Sequence, residues 1–415
     1  MKHLNLLFLF LVLSRITALA QAASPLRIDA DFQGGNIIVN SINGDTIKLQ
    51  QDLRDTEGNW FYWSFRVKGA AGRTLHFEFT NGQAIGSRGA AVSVDGGLTW
   101  RWLGNLGASS TEFQYTFDSK ENEVYFGQGM NYTEKDLQHF LDRYKNHPDL
   151  KIEMLCTSKK GRNVELLRIR KDNIFPDFKI ILTSRTHCGE MMASRTLEGI
   201  IETVLSDTED GQWLRNHGDF FIVPFVDKDG VEDGDQGKNR RPHDHWLDFK
   251  QRIYPEIRAI TEQAPKWLDG KPVFFLDMHC PWLRGGTDGN APEQGTNEYL
   301  YFVGLDPKLD TGNFIEKLYQ FGTVLETVKK GAIPYKASYN LLFGTAWNTE
   351  SNYTNPDLQG SGEWGATLPN AVFSSHIEIP FANASGVVVD ANSARELGYD
   401  LARAIRTYLE NLKFK

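Results

Sequence analysis

The 415-residue chain predicts an α/β protein in which an N-terminal β-sandwich precedes a mixed-sheet domain with helices on both faces. Three observations carry that expectation. The length exceeds what one ordinary hydrophobic core serves, so at least two units are expected. Residues 24–130 hold short apolar or aromatic runs separated by Gly, Asn and Asp turns. From residue 131 onward, strand-like and helix-like patterns alternate, which is the signature of a largely parallel or mixed sheet.

Met1-Lys2-His3 is followed by an apolar run over 4–13, and Ala18, Ala20 and Ala22 supply small residues for cleavage. This predicts a signal peptide over 1–22 and an exported product, periplasmic or secreted. Ten apolar residues ended by Ser14-Arg15 are too few to span a bilayer, and no later run is long enough. Runs at 36–39, 60–67, 74–79, 90–94 and 123–126 predict strands of the sandwich, with a hairpin at Asp95-Gly96-Gly97. The tryptophans and tyrosines there are assigned to core and interface.

Thr133 caps a helix through Leu137 and Leu141 and opens the second unit, 131–415. Strands are expected at 151–155, 164–169, 179–182, 220–223, 273–276 and 375–379. Helices are expected at 191–205, 252–263, 313–329 and 393–411. The net charge of −8 argues against a nucleic-acid partner, because phosphate neutralisation needs clustered Lys and Arg.

Ligands of such sheets sit beyond the carboxyl ends of strands. His187-Cys188-Gly189-Glu190 falls at one such end, between the 179–182 strand and the 191–205 helix. Imidazole nitrogen and carboxylate oxygen suit zinc, although His-x-x-Glu alone also describes an ordinary polar helix start. His279 likewise ends an apolar strand candidate, in Leu276-Asp277-Met278-His279, and is the candidate third ligand. Two histidines and a glutamate with an open fourth position describe a catalytic site for one zinc ion. Asp277 either orients a ring or caps the strand. Glu378, in His376-Ile377-Glu378, is a carboxylate at the end of a late strand and the candidate general base. Cys188 and Cys280 each follow a proposed ligand. They either fill space, coordinate, or form a disulfide with each other; with Cys156 they make no disulfide framework.

The order of these elements resembles the zinc metallocarboxypeptidase family. His-x-x-Glu after a strand is followed by Pro224-Phe225-Val226-Asp227-Lys228-Asp229-Gly230-Val231, then His279 after Leu-Asp-Met, then Glu378. The front unit resembles the β-sandwich of the cytosolic-carboxypeptidase branch, through Trp60-Phe61-Tyr62-Trp63-Ser64-Phe65-Arg66-Val67 and Tyr125-Phe126…Tyr132-Thr133…Asp136-Leu137. The resemblance implies a zinc held by His187, Glu190 and His279, water activation by Glu378, and a zinc-carboxypeptidase-like domain over 131–415. It also implies a cis peptide after the third ligand, at Cys280–Pro281.

One element departs from the family. Register from Asp244 and Asp248 puts Trp246-Leu247 where the family has the Asn-Arg pair that grips the substrate's terminal carboxylate. Tryptophan and leucine cannot replace a bidentate cation. Either Arg240, Arg241 or Arg284 takes over, or a free carboxylate is not required. The oxyanion-stabilising cation has Lys238, Arg240 and Arg241 as candidates, with Lys238 and Arg240 preferred. His243 and His245 are expected as polar lining of the cleft mouth. The expected function is a zinc-dependent, carboxypeptidase-like peptidase acting on a peptide. The alternatives are an amidase or esterase acting on an acylated small molecule or polymer, and a non-catalytic binding protein.

Overall fold

A computed structural model describes residues 25–285 and 297–413. The 1–22 segment expected as a signal peptide lies outside the described residues.

Two sheets build the N-terminal region. One is five-stranded, in the spatial order Arg27–Asp29, Ser64–Lys68, Glu123–Gly127, Ala91–Ser93, Arg101–Trp102, with antiparallel neighbours throughout. The other is four-stranded: Ile38–Asn43, Thr46–Gln50, Thr74–Phe79, Glu112–Thr116. Alternation along these strands sends Phe65, Val67, Phe77 and Phe126 into a shared buried core around Trp63. Trp63 satisfies its indole N–H on the Ala84 carbonyl at 2.7 Å, which lets a polar group sit in that core. The expected hairpin forms between Ala91–Ser93 and Arg101–Trp102, and Gly96 and Gly97 take the positive φ its loop requires (77° and 87°). Phe126 is fully buried against Phe65, Phe77 and Tyr115, with ring centroids 5.2–5.4 Å away. Phe126→Ala should therefore cost about 3–5 kcal/mol, read as a lower denaturant midpoint at unchanged slope. A cost below about 1 kcal/mol would place that ring outside the load of the core.

The strand expected over 60–67 begins only at Ser64. Four consecutive aromatic residues cannot all face one core in a period-two strand. Trp60, Phe61 and Tyr62 instead leave the sheet toward the second region. Phe61 packs against Trp282 and Phe381, and the Tyr62 N–H donates to Gln236 Oε1 at 2.7 Å.

The second sheet has seven strands in the order Leu150–Thr157, Asn163–Ile169, Gly218–Val223, Phe178–Ser184, Val273–His279, Ala371–Glu378, Tyr301–Phe302. Its central four are parallel and its margins antiparallel, as a mixed sheet requires. Residues of alternating parity go to opposite faces. Ile180, Leu182, Phe274 and Leu276 meet the helices Met191–Leu205, Phe314–Val328 and Ala391–Lys413. Ile181, Val273 and Phe275 meet Pro255–Trp267 and Ser361–Thr367. The helix expected from residue 252 starts at Pro255, whose fixed φ and missing N–H suit a first helical position. The short helices Glu209–His217 and Lys228–Asp233 and the two-residue edge strand Tyr301–Phe302 are too brief to register as periodic patterns. Among the described residues, no helix is long and apolar enough to cross a membrane.

The cis bond implied after His279 is not at Cys280–Pro281. The cis peptide among the described residues is Arg241–Pro242.

Candidate metal centre and active-site pocket

Three adjacent parallel strands deliver the site. Phe178–Ser184 ends just before His187, Val273–His279 ends on its histidine, and Ala371–Glu378 ends on its glutamate. His279 and Glu378 are direct cross-strand neighbours. Glu190 sits at the N-cap of Met191–Leu205 without capping it, so its carboxylate is left for the site.

His187, Glu190 and His279 offer ligand atoms that all lie within 4.8 Å of one another, and all three residues are buried. His187 Nδ1 is 3.1 Å from Glu190 Oε1. His279 Nδ1 is 3.1 Å from His187 Nδ1 and 3.0 Å from Glu190 Oε2. The far nitrogen of each ring faces another carboxylate: His279 Nε2 is 2.8 Å from Asp277 Oδ2, and His187 Nε2 is 3.6 Å from Asp244 Oδ2. Protons on the two Nε2 atoms leave both Nδ1 lone pairs and Glu190 converging on one place, which is what a cation needs. This donor set fits zinc. Asp277 is therefore a ring-orienting residue, itself held by Thr183 Oγ1 at 2.8 Å and Thr186 Oγ1 at 2.9 Å.

Glu378 lines the same pocket, 6 % exposed, with Oε2 buried and free of any protein hydrogen bond. Burial, reinforced by the nearby Glu190 charge, pushes its carboxyl up to about 7. Lys238 Nζ lies 2.6 Å from Glu190 Oε1 and 3.5 Å from the Cys280 carbonyl. Burial alone would lower its pKa, but Glu190 and Glu378 outweigh that and hold the ammonium charged.

Arg240, expected with Lys238 as an oxyanion cation, does not line the pocket. Its guanidinium is committed to Asp227, and to Asp235 at 2.9 Å. Arg241 is exposed and paired with Glu57, while Arg284 donates to the Ile85 carbonyl at 2.7 Å and the Gly86 carbonyl at 3.0 Å. His243 and His245 are not cleft lining either: His243 Nε2 meets Asp248 Oδ1 at 2.7 Å, and His245 stacks on Tyr254 at 3.7 Å. Cys188 and Cys280 are buried free thiols with no disulfide between them, and burial pushes each well above the ordinary range.

The pocket, about 690 Å³, is rich in tryptophan: Trp60, Trp246, Trp282 and Trp347 all line it. Trp246 and Leu247, on the turn His245–Leu247, face it as the register predicts. The Trp246 ring stands 6.0 Å from His187, 6.4 Å from His279 and 5.5 Å from His376. Sequence reasoning missed Trp60, Trp347 and Asn352. The excess of aromatics at 60–63 was a signal for the first; no local pattern marks the others.

Residues 137–258 match the zinc carboxypeptidase family model. The chain is 28% identical over 211 residues to cytosolic carboxypeptidase 6 of Mus musculus, covering 48% of this chain and 39% of that protein. It is 26% identical over 269 residues to cytosolic carboxypeptidase 6 of Caenorhabditis elegans, covering 60% and 58%. With cytosolic carboxypeptidase 2 of Xenopus tropicalis it is 28% identical over 303 residues, covering 62% and 31%. The chain thus spans less than two thirds of the length of these relatives. Its fold is that of a metallo-carboxypeptidase from Burkholderia cenocepacia (TM-score 0.74, 18% identity, 94% of this chain and 100% of the other). One from Pseudomonas aeruginosa is also similar in fold (TM-score 0.71, 22% identity, 93% and 100%). The expectation of export is overturned by these relatives, which are named cytosolic carboxypeptidases.

Proposed function

We propose that this chain, which carries a zinc carboxypeptidase domain, is a metallopeptidase that uses one zinc ion and Glu378 to hydrolyse a peptide bond. His187, Glu190 and His279 would hold the ion. The convergence of their ligand atoms beside Glu378, at the ends of neighbouring parallel strands, is the observation that carries the reading. Zinc, when bound, supplies Lewis acidity: it polarises a carbonyl and makes a water molecule more acidic.

The protein's own groups do the rest. Glu378 accepts the proton of the attacking water as the new C–O bond forms, then returns it to the amine as the C–N bond breaks. A carboxyl raised toward neutrality by burial suits both halves of that exchange. Lys238 takes the part of the oxyanion-stabilising cation. Asp277 and Asp244 hold the two imidazole rings in the tautomer that leaves Nδ1 free. The sandwich over 24–130 acts as a separate unit that lends Trp60 to the pocket of the 131–415 unit.

The test compares zinc-loaded and chelator-stripped protein on a peptide panel, with metal content measured in parallel. Metal-dependent release of new amine termini is expected. Stoichiometric zinc without hydrolysis of any peptide would instead support a non-catalytic binding protein. Lys238→Ala should lower kcat by about 10²–10³-fold, the range of oxyanion-donor losses, with Lys238→Arg recovering part of it. A change confined to KM would move Lys238 to substrate binding.

A further inference from the structure

We infer that the pocket next to the metal site receives an uncharged end group, amidated or otherwise lacking a free α-carboxylate, against Trp246 and Leu247. This rests on the hydrolase reading above and deepens it.

The first observation is the supply of cations. Among the described residues, Lys238 is the one lysine or arginine lining the pocket; it lies 2.6 Å from Glu190, and the proposed reaction commits it to the oxyanion. Arg240 is held by Asp227 and Asp235, Arg241 by Glu57, and Arg284 by backbone carbonyls of the N-terminal region. The sequence of 286–296, GTDGNAPEQGT, contains no Lys or Arg. A free carboxylate entering here would lose its hydration without gaining a counter-ion.

The second observation is what lines the pocket instead. Asp244 and Glu378 add negative charge, which repels a carboxylate. Trp246 lies against His376, 5.5 Å between ring centres, and Trp347 stacks on the same imidazole at 6.1 Å. Trp60 and Trp282 form a second aromatic pair at 5.0 Å. Asn239, Asn297 and Asn352 supply neutral donors and acceptors around these rings. Indole faces with amide groups reward apolar contact and neutral hydrogen bonds. The leaving amine that fits is therefore a bulky apolar or aromatic residue ending in an amide or another neutral group.

The experiment uses a matched pair of N-acylated dipeptides that differ only in a free or amidated C-terminus. Zinc-loaded full-length protein is assayed by mass spectrometry for release of the terminal amino acid or its amide. The amide should be cleaved with kcat/KM at least about tenfold above the acid, the scale of one lost charge-assisted partner. In Trp246→Asn/Leu247→Arg the ratio should fall or invert. A wild-type ratio at or below one overturns the inference while leaving the hydrolase reading intact. If neither peptide is cleaved, the hydrolase reading is in difficulty. The inference is then decided by calorimetric binding of the two peptides to zinc-loaded Glu378→Gln. Tighter binding of the amide supports it; tighter binding of the acid, or binding of neither, overturns it.

Discussion

Glu378→Gln is expected to retain zinc at wild-type stoichiometry and to lose about 10²-fold or more in kcat, the contribution typical of a positioned general base. The amide keeps the size of the carboxyl but cannot accept a proton from water. Glu378 Oε2 has no protein partner to lose, so the substitution should also leave folding largely undisturbed. Retention of kcat within about threefold of wild type, with metal content verified, would transfer the base to another residue.

His187→Ala and His279→Ala should each weaken zinc binding by more than about 100-fold, since a direct ligand is worth at least as much as the partners that orient it. The readout is metal content after dialysis against a competing chelator, independent of turnover. Activity should disappear in step with the metal. Both histidines are buried, and removing either ring leaves Glu190 facing Lys238 with less competition, so the variants should fold with the site closed by that ion pair. Full zinc occupancy in either variant would place the metal elsewhere.

The recognisable part of the site lies at strand ends. His187-x-x-Glu190 is local, and His279 and Glu378 each fall at the end of a short run that already identifies a buried strand. Parallel pairing then brings those ends to one edge of the sheet. Arg240 illustrates the opposite case. From the sequence it stands two residues from Lys238 and is chemically the better oxyanion cation. Its fate was settled by Asp227 and Asp235, at the two ends of the short helix Lys228–Asp233, with Asp55 of the N-terminal region adding a third carboxylate. No spacing rule predicts which distant carboxylate will claim a guanidinium.

The same distinction separates the two kinds of pocket residue. Trp246 and Leu247 could be assigned to the pocket because register counted from Asp244 and Asp248 is a property of one short segment. Trp60 reaches the pocket only because the N-terminal region packs against Trp282 and Phe381, and Trp347 only because its loop folds over His376. Periodicity, caps and short motifs are set by neighbours within a few residues, so secondary structure, sheet faces and the candidate metal ligands could be read along the chain. Ion-pair partners, thiol state and the aromatic walls depend on long-range packing between segments up to 298 residues apart, and such contacts follow from shape and burial in three dimensions.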